Sequence, residues 1–231
     1  MDDDKLLAQY TNGSGAIIDG ATLVPLMATP AAEAHLVAWT RTQALKAAHE
    51  ASHCCVAALL PPSCGGPIAS YEVSIKGQWS GSTRLADGED TQPVHETATH
   101  KRGLMVVLLA GLEGERALFD EPTDGSTSDL DAAAEKAAEI ITAGLHPEAS
   151  LVTWTPFGYN VSAPRWLVDE RYRLVEKELR WAREQAREIV EAHRGQVLTF
   201  ARILFERRRM ESAAIDEALT VVGIPLAERL P

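Results

Sequence analysis

A short segment near residue 50 carries the residue types that hydrolytic zinc chemistry needs. Residues 49–53 read His-Glu-Ala-Ser-His. Residues four apart lie on the same face of an α-helix, with Cβ atoms about 5–6 Å apart, so His49 and His53 can bind one ion together. Glu50 can stay unligated and take a proton from water that the metal acidifies. The spacing therefore predicts a zinc site, provided that the segment is helical.

The surrounding pattern predicts the helix that these ligands require. Apolar and small residues recur at helical spacing over about 30–60, and two prolines then end the helix. The alternative to a metal site is a chance pairing of two helix histidines. Cys54 and Cys55 follow His53 directly, but adjacent helix residues point about 100° apart. We therefore interpret the cysteines as small buried hydrophobic residues rather than as ligands.

Three segments resemble the peptidase domain of the FtsH family. They are the histidine segment with its apolar continuation (46–60), the Gly- and Glu-containing segment 108–119, and the segment 123–130, which reads Thr-Asp-Gly-Ser-Thr-Ser-Asp-Leu. The likeness extends from about residue 41 to 222. It implies a zincin-type zinc peptidase with His49 and His53 as ligands and Glu50 as general base.

The resemblance also assigns roles to two carboxylates. It implies that Asp129 is the third zinc ligand and that Glu115 orients a ligand histidine without touching the ion. Glu113 and Asp131 are the rivals for the third ligand. For Glu115, a plain surface or salt-bridged carboxylate is the alternative.

Residues 81–85 resemble the edge strand of the family, where a polypeptide substrate would bind. Pairing with a sheet edge through backbone hydrogen bonds gives affinity that tolerates many sequences. The alternative is an ordinary edge strand protected by a charged side chain. The predicted substrate-binding residues are Gly81, Ser82, Thr83, Arg84 and Leu85.

The sequence departs from the family in three respects. It contains no phosphate-binding loop of the form GxxxxGK[ST]. The longest apolar run, 104–112, is far shorter than the ~20 residues of a membrane-spanning helix. Ser52 stands where the family usually has glycine. We therefore expect a stand-alone relative without the ATPase module or membrane anchor. The family's peptidase domains form hexameric rings, which leaves a homo-oligomer open here.

Composition limits the partners and the compartment. A net charge of -11 disfavours nucleic acid and anionic lipid as partners. The 3 cysteines are too few for a disulfide framework in 231 residues. The acidic N-terminus lacks the basic region of a signal peptide. These features predict a cytoplasmic protein. Whether residues 1–5 are native or a tag remnant stays open.

Helical patterns dominate the rest of the chain. We expect Thr127 or Ser128 to cap a helix, Gly195 to separate two helices, and the strand at 81–86 to lie at a sheet edge. The predicted fold class is mostly α with a small β-sheet (α+β), ending in a C-terminal helical bundle. The strands are predicted at 71–76 and 81–86, and the helices at 93–119, 129–145, 164–193, 196–209 and 212–222.

The expected organisation is one peptidase domain behind an irregular segment. Residues 1–29 form the lead-in and 30–231 the domain, with the zinc helix and sheet at 30–145 and the C-terminal helices at 164–222. The expected function is that of a zinc metalloendopeptidase, with Zn²⁺ as cofactor, which hydrolyses unstructured polypeptide without ATP. The alternatives are a catalytically idle relative that acts as a protein-interaction module and a zinc hydrolase of non-peptide amides. Glu50 argues against the idle relative, because a pure binding module has no need of a base.

Overall fold

The computed structural model of the protein describes residues 34–76, 80–85, 96–149 and 165–225. Within these ranges, helices surround a small three-stranded antiparallel sheet. The predicted fold class, mostly α with a small sheet, is therefore confirmed. The lead-in predicted at 1–29 lies outside the described residues.

Six helices and three strands are named here in chain order. The helices are α1 (Ala34–Leu59), α2 (Ala98–Phe119), α3 (Thr127–Thr142), α4 (Arg165–Ala192), α5 (Arg194–Arg207) and α6 (Ser212–Val221). The strands are β1 (Ser70–Lys76), β2 (Ser80–Leu85) and β3 (Arg209–Glu211). None of the helices in the described ranges is long and apolar enough to cross a membrane.

The helix α1 lies at the centre of the molecule. It packs against α2 on one side and α5 on another, and it also contacts β1. Its middle is buried all round, as expected for a helix without a polar face. Small side chains make this possible because they let neighbouring elements approach closely; these are Ala47, Ala48, Ala51, Cys54, Cys55 and Ala57. The predicted burial of both cysteines is thus confirmed.

The helix α2 connects α1 to the other half of the helical core. It packs against α1, α3 and α4. The long α4 presents one buried apolar stripe to this core, including Leu174, Ala182 and Val190, while most of its exposed residues are charged. The arrangement fixes α1, α2 and the start of α3 relative to one another.

The sheet has the order β2-β1-β3, with antiparallel pairing throughout. The predicted edge position of β2 is confirmed. The strand β3 was not predicted: the helix expected at 196–209 ends at Arg207, and Arg208 adopts a left-handed backbone with φ 64°. The chain then turns into β3, whose buried Met210 pairs with Val73.

Several predicted helix ends were wrong by a few residues. The helix α2 begins at Ala98, where the Thr97 hydroxyl accepts a hydrogen bond from the N–H of His100. The N-cap of α3 is Ser126, not Thr127 or Ser128, and its side chain makes no capping bond. The helix α3 also ends at Thr142, short of the predicted 145. The break between α4 and α5 falls at His193, so Gly195 lies within α5.

Candidate metal centre

His49 and His53 lie one turn apart on the buried face of α1. Their ring centroids are 4.6 Å apart and the ring planes meet at 83°. The side chains are 6% and 8% exposed, so each ring is held by protein on nearly all sides. The helical spacing therefore does bring the two imidazoles together, as the sequence predicted.

Each histidine uses its Nδ1 atom to contact an acceptor from α2. Nδ1 of His49 lies 2.8 Å from Oε1 of Glu115, and Nδ1 of His53 donates to the carbonyl oxygen of Val107 at 2.7 Å. These contacts place the Nδ1 proton on the α2 side of both rings. The Nε2 atoms are thereby left to serve as ligands.

The two Nε2 atoms converge on one carboxylate oxygen at the start of α3. Oδ2 of Asp129 lies 2.9 Å from Nε2 of His49 and 3.5 Å from Nε2 of His53. One ligand atom from each of the three residues can be chosen so that all lie within 4.8 Å of one another. Two imidazole nitrogens and a carboxylate oxygen are a three-residue donor set that suits catalytic zinc, which keeps its fourth position open. The residues therefore fit a zinc ion.

The two rival carboxylates do not reach this group. Glu113 is buried on α2 and pairs with Arg183 at 2.7 Å and Arg116 at 3.3 Å. Asp131 is exposed on α3. Glu115 is not a surface carboxylate either: it is 2% exposed, and its Oε2 accepts a hydrogen bond from the N–H of Thr123.

Two glycines on α2 make room for the α1 side chains that face it. A Cβ atom on Gly111 would lie 2.5 Å from Cε1 of His49, so the imidazole rests directly on the α2 backbone. A Cβ on Gly114 would lie 1.8 Å from Oγ of Ser52, which itself donates to the carbonyl of Ala48 at 2.7 Å. Gly114 thus provides the space that Ser52 occupies.

The charges of the site are tightly coupled before any metal binds. Burial lowers the pKa of His49, but hydrogen bonds with Asp129 and Glu115 outweigh it and raise the pKa to about 9. Burial raises the pKa of Asp129 and Glu115, but their contacts, with His49 above all, hold both pKa values below the usual range. The carboxylates are therefore ionised at neutral pH, and a metal must compete with a proton for His49.

Glu50 projects from α1 toward β2. Its Oε2 accepts a hydrogen bond of 2.7 Å from the Thr83 hydroxyl. Glu50 is buried, with 5% of its surface exposed. A Cβ on Gly81 would lie 2.3 Å from Oε1 of Glu50, so the first part of β2 also runs directly beside this carboxylate. Glu50 lies beside the group formed by His49, His53 and Asp129 without belonging to it.

A cleft of ≈ 390 Å³ opens over the group formed by His49, His53 and Asp129. The volume is within the ~300–1,000 Å³ that is usual for ligand sites. Four of the five predicted substrate-binding residues line it, whereas Arg84 is exposed and lies outside the lining. The lining residues are Lys46, His49, Glu50, His53, Gly81, Ser82, Thr83, Leu85, Val107, Leu108, Gly125, Ser128 and Asp129.

The sequence did not reveal three of these relationships. The carbonyl of Val107 and the N–H of Thr123 are backbone groups, and their role cannot be recognised from residue types. The hydroxyl of Thr83 reaches Glu50 only because β2 crosses beside α1. Lys46 is different, since its spacing of three and four residues before His49 and Glu50 could have placed it at the cleft.

Comparison with known proteins gives relatives of one kind. No family model matches the chain. An ATP-dependent zinc metalloprotease FtsH 1 from Rhodopirellula baltica is 26% identical over 195 residues, which cover 79% of this chain and 28% of the relative. The FtsH of Syntrophotalea carbinolica is 24% identical, and the match covers 85% of this chain and 31% of the relative. The FtsH 3 of Synechocystis is 25% identical, and the match covers 81% of this chain and 32% of the relative.

The chain thus spans between a quarter and a third of the length of these relatives, while they match most of its own length. The chain is similar in sequence to the FtsH zinc metalloproteases, which is consistent with an FtsH-related peptidase domain.

Proposed function

We propose that the chain is a zinc metalloendopeptidase that hydrolyses unstructured polypeptide without ATP. The observation that carries the proposal is the convergence of Nε2 of His49, Nε2 of His53 and Oδ2 of Asp129 at one wall of a cleft. Glu50 lines the same cleft without belonging to that group. A base beside a three-residue donor set is the arrangement that hydrolysis requires.

The three converging residues would hold the ion, and the surrounding residues would keep them in place. A bound zinc ion supplies Lewis acidity, which acidifies water and polarises the carbonyl of the bond to be cleaved. Glu115 and the carbonyl of Val107 fix the rings by holding the Nδ1 protons. The contact of Gly111 with the His49 ring limits its tilt.

Glu50 would move the protons of the reaction. Its carboxylate would take a proton from the attacking water and later give it to the leaving amine. The Thr83 hydroxyl donates to Oε2, which orients the carboxylate.

The polypeptide would bind along β2. This strand pairs with β1 on one side, and within the described ranges no strand pairs with its other side. An extended segment can add there as a further strand, with backbone hydrogen bonds that tolerate different side chains. Such pairing needs several residues of extended chain, which a folded domain exposes only by local opening. Unstructured polypeptide is therefore the proposed substrate class.

Independence from ATP belongs to the proposal as well. The relatives are named ATP-dependent, but the sequence of this chain has no phosphate-binding loop of the form GxxxxGK[ST]. The domain bounds 30–231, the cytoplasmic location and a homo-oligomer stay predictions, as does the expectation of no nucleic-acid, nucleotide or membrane partner.

The test compares two substrates with the zinc-loaded full chain, each with and without ATP. We expect an intrinsically disordered protein to be cleaved and a stable folded protein to stay intact, with no effect of ATP. Stimulation by ATP would contradict the proposed independence. Cleavage of neither substrate, by protein with zinc bound, would favour the catalytically idle relative. The Glu50→Gln variant is the control for a contaminating protease.

A further inference from the structure

Lys46 is placed where its charge can act on a substrate. It precedes His49 by three residues and Glu50 by four on α1, so it shares their helix face. It lines the cleft at the wall made by the turn before α3: its Nζ would lie 3.0 Å from a Cβ atom on Gly125. This wall also contains Ser128, and β2 forms a different part of the lining. We call Lys46, Gly125 and Ser128 the lysine wall.

The ammonium group of Lys46 has no carboxylate partner among the described residues. Three other lysines are paired with carboxylates: Lys101 with Glu139 at 2.6 Å, Lys136 with Glu139 at 3.2 Å, and Lys177 with Glu148 at 2.5 Å. Lys46 is also the only lysine or arginine that lines the described part of the cleft.

The charges that line the cleft indicate a role for the ammonium group of Lys46. Two carboxylates line the cleft, Glu50 and Asp129, and a divalent metal ion balances both. Glu115 lies behind His49 and is held by the N–H of Thr123, outside the lining. With the metal bound, Lys46 therefore remains as positive charge at the wall. A half-buried ammonium favours a negative partner, because pairing is stronger where water is partly excluded.

We propose that the lysine wall is a subsite for a carboxylate of the substrate, so that the chain prefers polypeptides with a carboxylate near the cleaved bond. This rests on the proposed function and adds a specificity to it. The Nζ of Lys46 supplies the charge, and the exposed hydroxyl of Ser128 is a further donor. The carboxylate comes either from an aspartate or glutamate side chain or from the C-terminus of the polypeptide.

The first experiment measures hydrolysis of matched peptides by the zinc-loaded chain. In each pair, one position near the cleaved bond carries Asp or Asn, and every peptide is made with a free or an amidated C-terminus. We expect one position at which kcat/KM for Asp exceeds that for Asn by about fivefold to tenfold. Lys46→Met should remove this ratio and Lys46→Glu should reverse it. Lys177→Met, which removes the same charge elsewhere, should leave the ratio unchanged.

The comparison of peptides with free and amidated C-termini identifies the source of the carboxylate. A preference that follows the free C-terminus, and not the Asp position, supports the subsite and assigns it to the chain end. A wild-type ratio near one in both arms overturns the proposal. So does a preference that persists in Lys46→Met.

The second experiment separates this inference from catalysis. Labelled Asp and Asn peptides are bound to zinc-loaded Glu50→Gln and to the Lys46→Met/Glu50→Gln double variant, and fluorescence anisotropy gives Kd. Tighter binding of the acidic peptide, lost in the double variant, supports the subsite even if the wild-type chain hydrolyses nothing. Equal binding of the Asp and Asn peptides together with equal binding of their free and amidated forms, or no binding, overturns it even if hydrolysis is rapid. Circular dichroism and zinc content show whether each variant is folded.

Discussion

Oε1 of Glu115 lies 2.8 Å from Nδ1 of His49, while Oε2 of the same carboxylate accepts from the backbone N–H of Thr123. One buried side chain thus connects the zinc helix to the turn that leads to Asp129. Glu115→Gln keeps the size but loses the charge that holds the Nδ1 proton. We expect zinc affinity to fall by about 10- to 100-fold. Competition with a chromophoric chelator measures it, and an unchanged affinity would contradict the orienting role.

The contact between Gly111 and the His49 ring predicts the effect of a single methyl group. A Cβ at this position would lie 2.5 Å from the imidazole, so Gly111→Ala should displace the ring and lower both zinc content and activity. Gly195→Ala is the matched control, because a Cβ there meets nothing within 4 Å. In that helical position it should raise the free energy of unfolding by about 0.5–1 kcal/mol. Equal zinc content in both variants would show that the ring has room to move.

The hydrogen bond from Thr83 to Glu50 predicts a loss of catalysis without a loss of metal. Thr83→Val is nearly isosteric and removes only the donor to Oε2. We expect kcat to fall by about 10- to 150-fold, since a bond to a charged group contributes about 1.5–3 kcal/mol. Zinc content should equal that of the wild type. Wild-type kcat in this variant would mean that the hydroxyl does not orient Glu50.

A cluster at the start of α2 predicts how stability depends on pH. Lys101 donates hydrogen bonds to Glu96 and Glu139. These bonds are the main reason why the pKa of each glutamate lies below its usual value. A glutamate whose pKa is lower in the folded state stabilises the protein at pH values above its unfolded-state pKa of about 4.3. This stabilisation is lost as the pH falls through the folded-state pKa. Lys101→Met should therefore cost about 1 kcal/mol at pH 7 and much less near pH 3. Urea unfolding at both pH values measures this, and a pH-independent difference would contradict the pairing.

The sequence predicted the helix-borne parts of the site better than the parts that depend on distant contacts. His49, Glu50 and His53 follow from local spacing on one helix, and their positions are as predicted. Asp129 was assigned from the resemblance, because nothing local shows that α3 begins beside α1. The structure places Asp129 with His49 and His53, and it places Glu113 and Asp131 outside this group.

The third strand shows why the rest could not be predicted. The strand β3 is only three residues long, too short for an alternating pattern to be recognised. Its pairing with β1 joins residues far apart in sequence, such as Val73 and Met210. The left-handed backbone of Arg208, which ends α5, is also unusual for a residue with a side chain. Long-range pairing overrode the local helical pattern here.

The central claim is that His49, His53 and Asp129 hold a catalytic zinc ion and that Glu50 is the base. The most direct test measures zinc content and hydrolysis of a disordered polypeptide in the same preparations of wild type and Glu50→Gln. Both proteins are stripped with a chelator and then given one equivalent of zinc. We predict about one zinc per chain in each, with activity restored in the wild type and about 10²–10⁴-fold lower in Glu50→Gln. Equal activity of the two zinc-loaded proteins, or wild-type activity that survives removal of the metal, would contradict the account.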